Sequence, residues 1–300
     1  MKISRRNFLK TTALTSLYFA GFGGQAYASS SKKKNLVIIM LRGGMDGLCA
    51  IPVKGDKNFE KLRSKINLDR TLKLTSDFDL HPALKTFKSL WDQNLSAAVH
   101  ATNIPYTGRS HFDGQNLMES GGKIPYQEKT GWLGRGMKTA GLTGQGLALA
   151  LPMPLLIRGV PMNNNYFPVG RSLPYPSTLE LIQKAYKEYD EKLLNENLEI
   201  ILTRDFNNRS SDDAWILASS AGTELSKPNG PKVAVFEVDG FDTHAAQGAT
   251  DGAHADCLSD YDNIVRSLKS SMSEDAFNNT LVLTLTEFGR TIKQNSSNGT

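Results

Sequence analysis

Three segments of this chain place an acid within a few residues of the end of an apolar run. They are Asp46 in Gly43-Gly44-Met45-Asp46-Gly47, Asp242 in Asp239-Gly240-Phe241-Asp242-Thr243-His244, and Glu287 in Thr286-Glu287-Phe288-Gly289-Arg290. Carboxylates gathered at one edge of a sheet repel one another, and a divalent cation with imidazole as a further ligand relieves that repulsion. Each acid taken alone reads first as a helix cap or loop residue. Their recurrence at three such positions, with His244 two residues from Asp242, is what points to a metal site.

A fourth segment, Gly108-Arg109-Ser110-His111-Phe112-Asp113, carries a hydroxyl, an imidazole and a guanidinium in succession. Ser110 reads as a nucleophile or a metal-bridging hydroxyl, His111 as a base or ligand, and Arg109 as a clamp for phosphate or sulfate oxygens. The alternative for Ser110 is a helix N-cap, and the pattern does not separate the two. His81 and His100 read as structural, His100 inside a strand, and His254 as the start of a surface helix. Gly108–Phe112 does not match the nucleophile elbow, and the chain has no P-loop, no zincin helix and no dinucleotide-binding glycine fingerprint after a strand.

These segments need a scaffold that brings them together. The run Asn35–Leu41 has the continuous apolar character of a central strand buried on both faces. Leu84, Phe87, Leu90 and Trp91 fall at helical spacing, and Leu95–Ala101 reads as a short strand, giving a strand, helix, strand unit. Residues 147–157 supply one or two strands broken at Pro152 and Pro154, and Trp132 opens a helix. An amphipathic helix is expected over 178–197, a strand over 232–238, a helix spanning Leu258 to Met272, and a strand over 281–285. The order implies an α/β fold with a mostly parallel central sheet flanked by helices, whose ligands collect at the carboxyl ends of the strands.

The chain begins Ser4-Arg5-Arg6-Asn7-Phe8-Leu9-Lys10 and continues through a modest apolar segment to Ala26-Tyr27-Ala28, the pattern of a twin-arginine export signal with its cleavage site. Residues 1–28 are therefore expected to be removed, 29–34 to form a flexible leader, and 35–300 to form a single domain truncated at its C-terminus. The segment Phe8–Phe22 falls short of the roughly 18–20 residues that span a bilayer, so no stable membrane span is expected after cleavage. Export by this route implies the translocation machinery as a partner and a periplasmic or extracellular destination. It carries proteins already folded, which suits a protein that acquires a cofactor first.

Removing Lys2, Arg5, Arg6 and Lys10 with the signal lowers the formal charge from +5 to +1. A near-neutral body without a basic stripe excludes nucleic-acid binding. The two cysteines, Cys49 and Cys257, exclude a disulfide-dense scaffold and a CxxC zinc site. They leave one disulfide or two unpaired thiols, the second being the expectation.

Taken in order, the twin-arginine leader, Arg42–Gly47, Arg109–Phe112, Thr130-Gly131-Trp132-Leu133-Gly134-Arg135, Phe241–His244 and Thr286–Arg290 resemble a large bacterial family of exported proteins, the domain-of-unknown-function 1501 family. That family is similar in turn to the alkaline phosphatase and sulfatase superfamily, which implies an alkaline-phosphatase-like fold. The resemblance implies Asp46, Asp242, His244 and Glu287 on metal, Ser110 as nucleophile, and Arg109 and His111 beside it. It implies one or two divalent ions, zinc, calcium, magnesium or manganese, and a small anionic ester as substrate. The sulfatase signature is missing at Cys49-Ala50-Ile51-Pro52-Val53, so formylglycine chemistry is not implied. The family pattern continues beyond Thr300 into a segment with further histidine, so one oxygen-rich site rather than a zinc pair is expected from these residues. The expectation is a metal-dependent phosphoric or sulfuric ester hydrolase, with a non-catalytic exported binding or assembly protein as the alternative.

Overall fold

In the computed structural model, residues 33–149, 152–165, 176–186 and 214–300 are described. The expected export signal at 1–28, most of the expected leader and the second half of the helix expected over 178–197 lie outside them.

The central strand is β1 (Asn35–Leu41). It is flanked on both sides in parallel register, Leu36 facing Val233 of β6 (Val233–Val238) and Leu281 of β7 (Thr280–Thr286). Outside β6 lie β4 (Gly146–Leu149) and the two-residue β5 (Asn164–Asn165), so the five strands run β5-β4-β6-β1-β7, all parallel. The short strands β2 (Leu72–Lys73) and β3 (Asp79–Leu80) form a separate antiparallel pair.

Side chains of successive strand residues point to opposite faces, so one strand feeds two cores. Val37, Ile39 and Leu41 of β1 join Ala234, Phe236 and Val238 of β6 in one cluster. Ile38 and Met40 join Val233 and Val235 in the other. The first face is covered by α1 (Gly47–Ala50), α3 (Lys85–Asp92), α7 (Ala214–Ser226) and α8 (Ala253–Ser271). The second is covered by α4 (His111–Ser120), α5 (Trp132–Thr139) and a 3-10 turn at Leu155–Ile157. Helix α2 (Lys57–Leu62), α6 (Pro176–Tyr186) and α9 (Glu274–Asn278) complete the described helices. Residues Asn35–Thr300 group as one compact unit.

Three expectations need correction. Residues 95–101 form no strand: Leu95 is 55% and Val99 79% exposed, and the positions beside β1 are taken by β6 and β7. His100 is accordingly exposed in a loop, stacked on the Phe78 ring with centroids 4.5 Å apart. The stretch 147–157 gives one strand among its described residues, within the one or two expected, and a 3-10 turn follows Pro154. His254 does begin a helix, but it is fully buried rather than on the surface. Cys49 and Cys257 are both unpaired, and burial pushes the Cys49 thiol up to about 12.

Candidate functional site

The loops after β1, β6 and β7 meet at the carboxyl edge of the sheet, where open α/β folds gather ligands. What lets them meet is Gly43. Its backbone has φ +110°, and a Cβ there would sit 2.4 Å from the Asp242 backbone nitrogen and 2.8 Å from the Phe241 carbonyl carbon. Only glycine tolerates both the left-handed backbone and that approach.

Helix α4 contributes the fourth wall. Ser110 is its N-cap, the side-chain oxygen accepting the Asp113 N–H at 3.3 Å. Arg42 at the end of β1 holds the helix to the sheet, donating to Gln115 at 3.0 Å and Glu119 at 2.9 Å, and also to Glu237 of β6. Farther along, Arg135 donates to the Ser120 carbonyl at 2.8 Å and the Trp132 indole N–H to the Met118 carbonyl at 3.0 Å. The Thr130–Arg135 segment thus docks α5 under α4 and is architectural.

The result is a convergence of His111, Asp242 and His244. Among the described residues these three offer ligand atoms that all lie within 4.8 Å of one another. His111 Nε2 lies 3.2 Å and His244 Nε2 3.0 Å from Asp242 Oδ1. A tetrahedral ion with ligands near 2.0–2.1 Å has ligand-to-ligand edges of about 3.3 Å; the two contacts to Asp242 Oδ1 are near that length, which is also the length of a hydrogen bond. The mouth is open, Asp242 being 48% and His244 66% exposed in their side chains.

Glu287 stands one layer behind. It is fully buried, and its Oε1 meets His111 Nδ1 at 2.9 Å while accepting from the Gly43 N–H at 2.9 Å and Gln115 at 3.0 Å. Burial alone would raise its pKa, but the hydrogen bonds from Gln115 and His111 outweigh that and hold the carboxyl below its usual range. A carboxylate on one imidazole nitrogen fixes the tautomer, leaving the other nitrogen as a lone pair for a metal. His111 Nε2 then faces Asp242 Oδ1, two acceptors that need a proton or a cation between them.

The cation in contact with the cluster is Arg290, whose side chain is only 3% exposed. Its Nη1 donates to Asp242 Oδ1 at 2.8 Å and the Gly43 carbonyl at 3.2 Å. Its Nη2 donates to His244 Nδ1 at 2.9 Å and to the Thr300 carbonyl. Although burial pushes the Asp242 carboxyl up, the Arg290 hydrogen bond and the nearby His111 and His244 bring it below the ordinary carboxylate value.

Asp46 is not part of this group. It is buried at the N-cap of α1, ion-paired with the fully buried Arg63 and accepting from Gln247 at 2.7 Å and the Cys49 N–H at 3.2 Å. The penalty of burying it is outweighed chiefly by the Arg63 charge, which lowers its pKa. Arg63 in turn donates to the Ile292 and Thr291 carbonyls at 2.9 and 2.8 Å, so the pair ties α2 to the loop after β7. Arg109 is exposed at the mouth of α4. The structure therefore brings together His111, Asp242 and His244, sets Glu287 behind them, gives Ser110 a capping contact, and holds Asp46 in a separate ion pair.

Residues 225–300 match the model of the family described as "Protein of unknown function (DUF1501)". That segment carries β6, α8 and β7 with Asp242, His244, Glu287 and Arg290, and does not include His111. No curated protein matches the chain.

Proposed function

We propose that this chain is an exported, metal-dependent protein of the hydrolase type, acting on a phosphate or sulfate ester at the His111, Asp242 and His244 site. The observation that carries the reading is the placement of Glu287 on His111 Nδ1 at 2.9 Å while His111 Nε2 and His244 Nε2 both converge on Asp242 Oδ1. An imidazole oriented by a buried carboxylate and facing other ligands is the arrangement that tunes a metal rather than one that merely fills a core. Export follows from the Arg5-Arg6 signal pattern. The likeness to alkaline phosphatases and sulfatases, in fold and in chemistry, belongs to the same proposal.

A divalent ion bound there supplies Lewis acidity and a water of lowered pKa. The protein's residues do the rest. Glu287 fixes the His111 ring, Asp242 contributes the compensating charge, and the open mouth admits an ester. Arg290, in contact with Asp242, is a cation that an anionic group could use, and Arg109 is exposed two residues before His111. Ser110, engaged as the helix cap, has no step assigned to it.

The test is metal analysis of the mature protein purified without chelator, followed by hydrolysis of nitrophenyl phosphate and nitrophenyl sulfate. A near-stoichiometric ion is expected, lost in Asp242→Asn and His244→Ala. Glu287→Gln is expected to weaken metal binding by about 10–100-fold, the usual cost of losing an outer-shell partner. A folded protein that takes up none of zinc, manganese, calcium or magnesium would overturn the reading. The second reading, a non-catalytic exported binding or assembly protein, is favoured by one observation: Arg290 already neutralises Asp242. It expects a protein that stays metal-free.

A further inference from the structure

Arg290 and a metal ion contend for the same atoms, and the reason is tautomeric. A guanidinium only donates, so the 2.9 Å contact of Arg290 Nη2 to His244 Nδ1 makes that nitrogen the acceptor. The proton of a neutral His244 ring then sits on Nε2, where it donates to Asp242 Oδ1 at 3.0 Å. Such a ring has no lone pair on Nε2 for a metal. Ligation through Nε2 moves the proton to Nδ1, where it meets the N–H of Arg290 head-on. Asp242 Oδ1 is likewise the acceptor of Arg290 Nη1 at 2.8 Å and the shared vertex of the ligand set.

Displacement need not carry Arg290 away from the site. Two of its contacts go to backbone carbonyls, Gly43 and Thr300, which a metal at the side-chain cluster does not claim. Handing Asp242 and His244 to an ion would free one N–H on each terminal nitrogen. The Nε–H has no partner among the described residues though buried. A guanidinium held by two carbonyls and presenting Nε–H beside a free Nη–H is the planar fork that takes two oxygens of a tetrahedral anion.

We propose that Arg290 is the anion-recognising residue of the site and its built-in stand-in for metal: it occupies Asp242 and His244 until an ion arrives, and is then released to bind phosphate or sulfate oxygens. This rests on the metal reading above and adds to it an order of binding, metal before anion. The two ligands should therefore favour each other's binding, a coupling that is reciprocal by linkage.

The experiment is calorimetric titration of zinc into the chelator-stripped mature protein, with and without inorganic sulfate, for wild type and Arg290→Met. Without sulfate, Arg290→Met is expected to bind zinc about tenfold more tightly, within the range usual for coupled sites. Sulfate is expected to tighten zinc binding in wild type and leave Arg290→Met unchanged. Zinc binding with the same affinity and the same sulfate response in both proteins would overturn the role of Arg290 and leave the metal site standing. Absence of zinc binding in both would remove the metal reading and this inference with it. Should Arg290→Met not fold, the wild-type Arg290 Nε–H resonance decides. It is expected to shift on adding zinc and again on adding sulfate, and silence at both steps, with zinc bound, would overturn the proposal.

Discussion

Among single residues, His254 has the environment least suited to its chemistry. It is fully buried, and neither ring nitrogen has a hydrogen-bond partner among the described residues. Its ring instead meets the edges of Phe241 and His81, with centroids 5.8 and 6.4 Å away. Burial, only partly countered by the Asp46 carboxylate, lowers its pKa from 6.5 to about 4. The folded state therefore holds the ring neutral where an unfolded chain would protonate it. Stability from this residue is complete above about pH 6.5 and is lost as pH falls toward 4, by up to about 3 kcal/mol. Chemical denaturation across pH 4–7 should show that slope, and His254→Leu should flatten it. Because an imidazole left without partners costs more than an apolar group of similar size, His254→Leu should be at least as stable as wild type at pH 7. A steep acid loss unchanged by the substitution would place the titrating group elsewhere.

Among elements, the loop after β1 serves two masters. Its glycines let it touch the β6 loop at Asp242, while Asp46 at its end closes on Arg63 of the turn after α2. The second contact is a fully buried ion pair reinforced by Gln247, Ile292 and Thr291. Removing one partner of such a pair leaves an uncompensated charge inside and costs about 3–5 kcal/mol. Arg63→Met is therefore expected to lower thermal stability sharply, and Asp46→Asn somewhat less, since its amide keeps an acceptor for Gln247. If Asp46 instead belonged to the metal set, Asp46→Asn would abolish zinc binding with little change in melting temperature. The expected outcome is the reverse, lost stability and retained zinc.

At the scale of the whole molecule, the two edges of the sheet among the described residues differ. β5 is a two-residue Asn-Asn strand, too short to recruit a partner. β7 has seven residues, no charge and no proline, with Leu281 64% and Leu283 39% exposed. Natural edges of this length usually carry a lysine, a proline or a bulge against unwanted pairing. This chain should therefore show concentration-dependent light scattering that Leu283→Lys reduces while the melting temperature of the soluble fraction stays close to wild type. Scattering unaffected by the lysine would mean that the β7 edge is not the adhesive surface.

Much of this was legible in the residues themselves. The expected strands at 35–41 and 232–238 form because continuous apolar segments of that length are buried on both faces, and the one expected at 281–285 forms as well, although its Leu281 and Leu283 stay exposed. The polar segments after them were legible too. Three of the candidate residues, His111, Asp242 and His244, do converge, yet the sequence offered Asp46 and Glu287 on equal terms with them. What distinguishes the five is the choice of counter-ion, and that choice is made across the fold. Asp46 meets Arg63, Glu287 meets His111 from α4, and Asp242 meets Arg290 from the loop after β7. No local pattern marks Arg63, Gln247 or Gln115 as partners, and Arg290 stood in the Thr286–Arg290 segment without a role. Side-chain type and strand pattern are fixed by nearest neighbours along the chain. Which charges neutralise which depends on distances that exist only once β1, β6, β7 and α4 have packed.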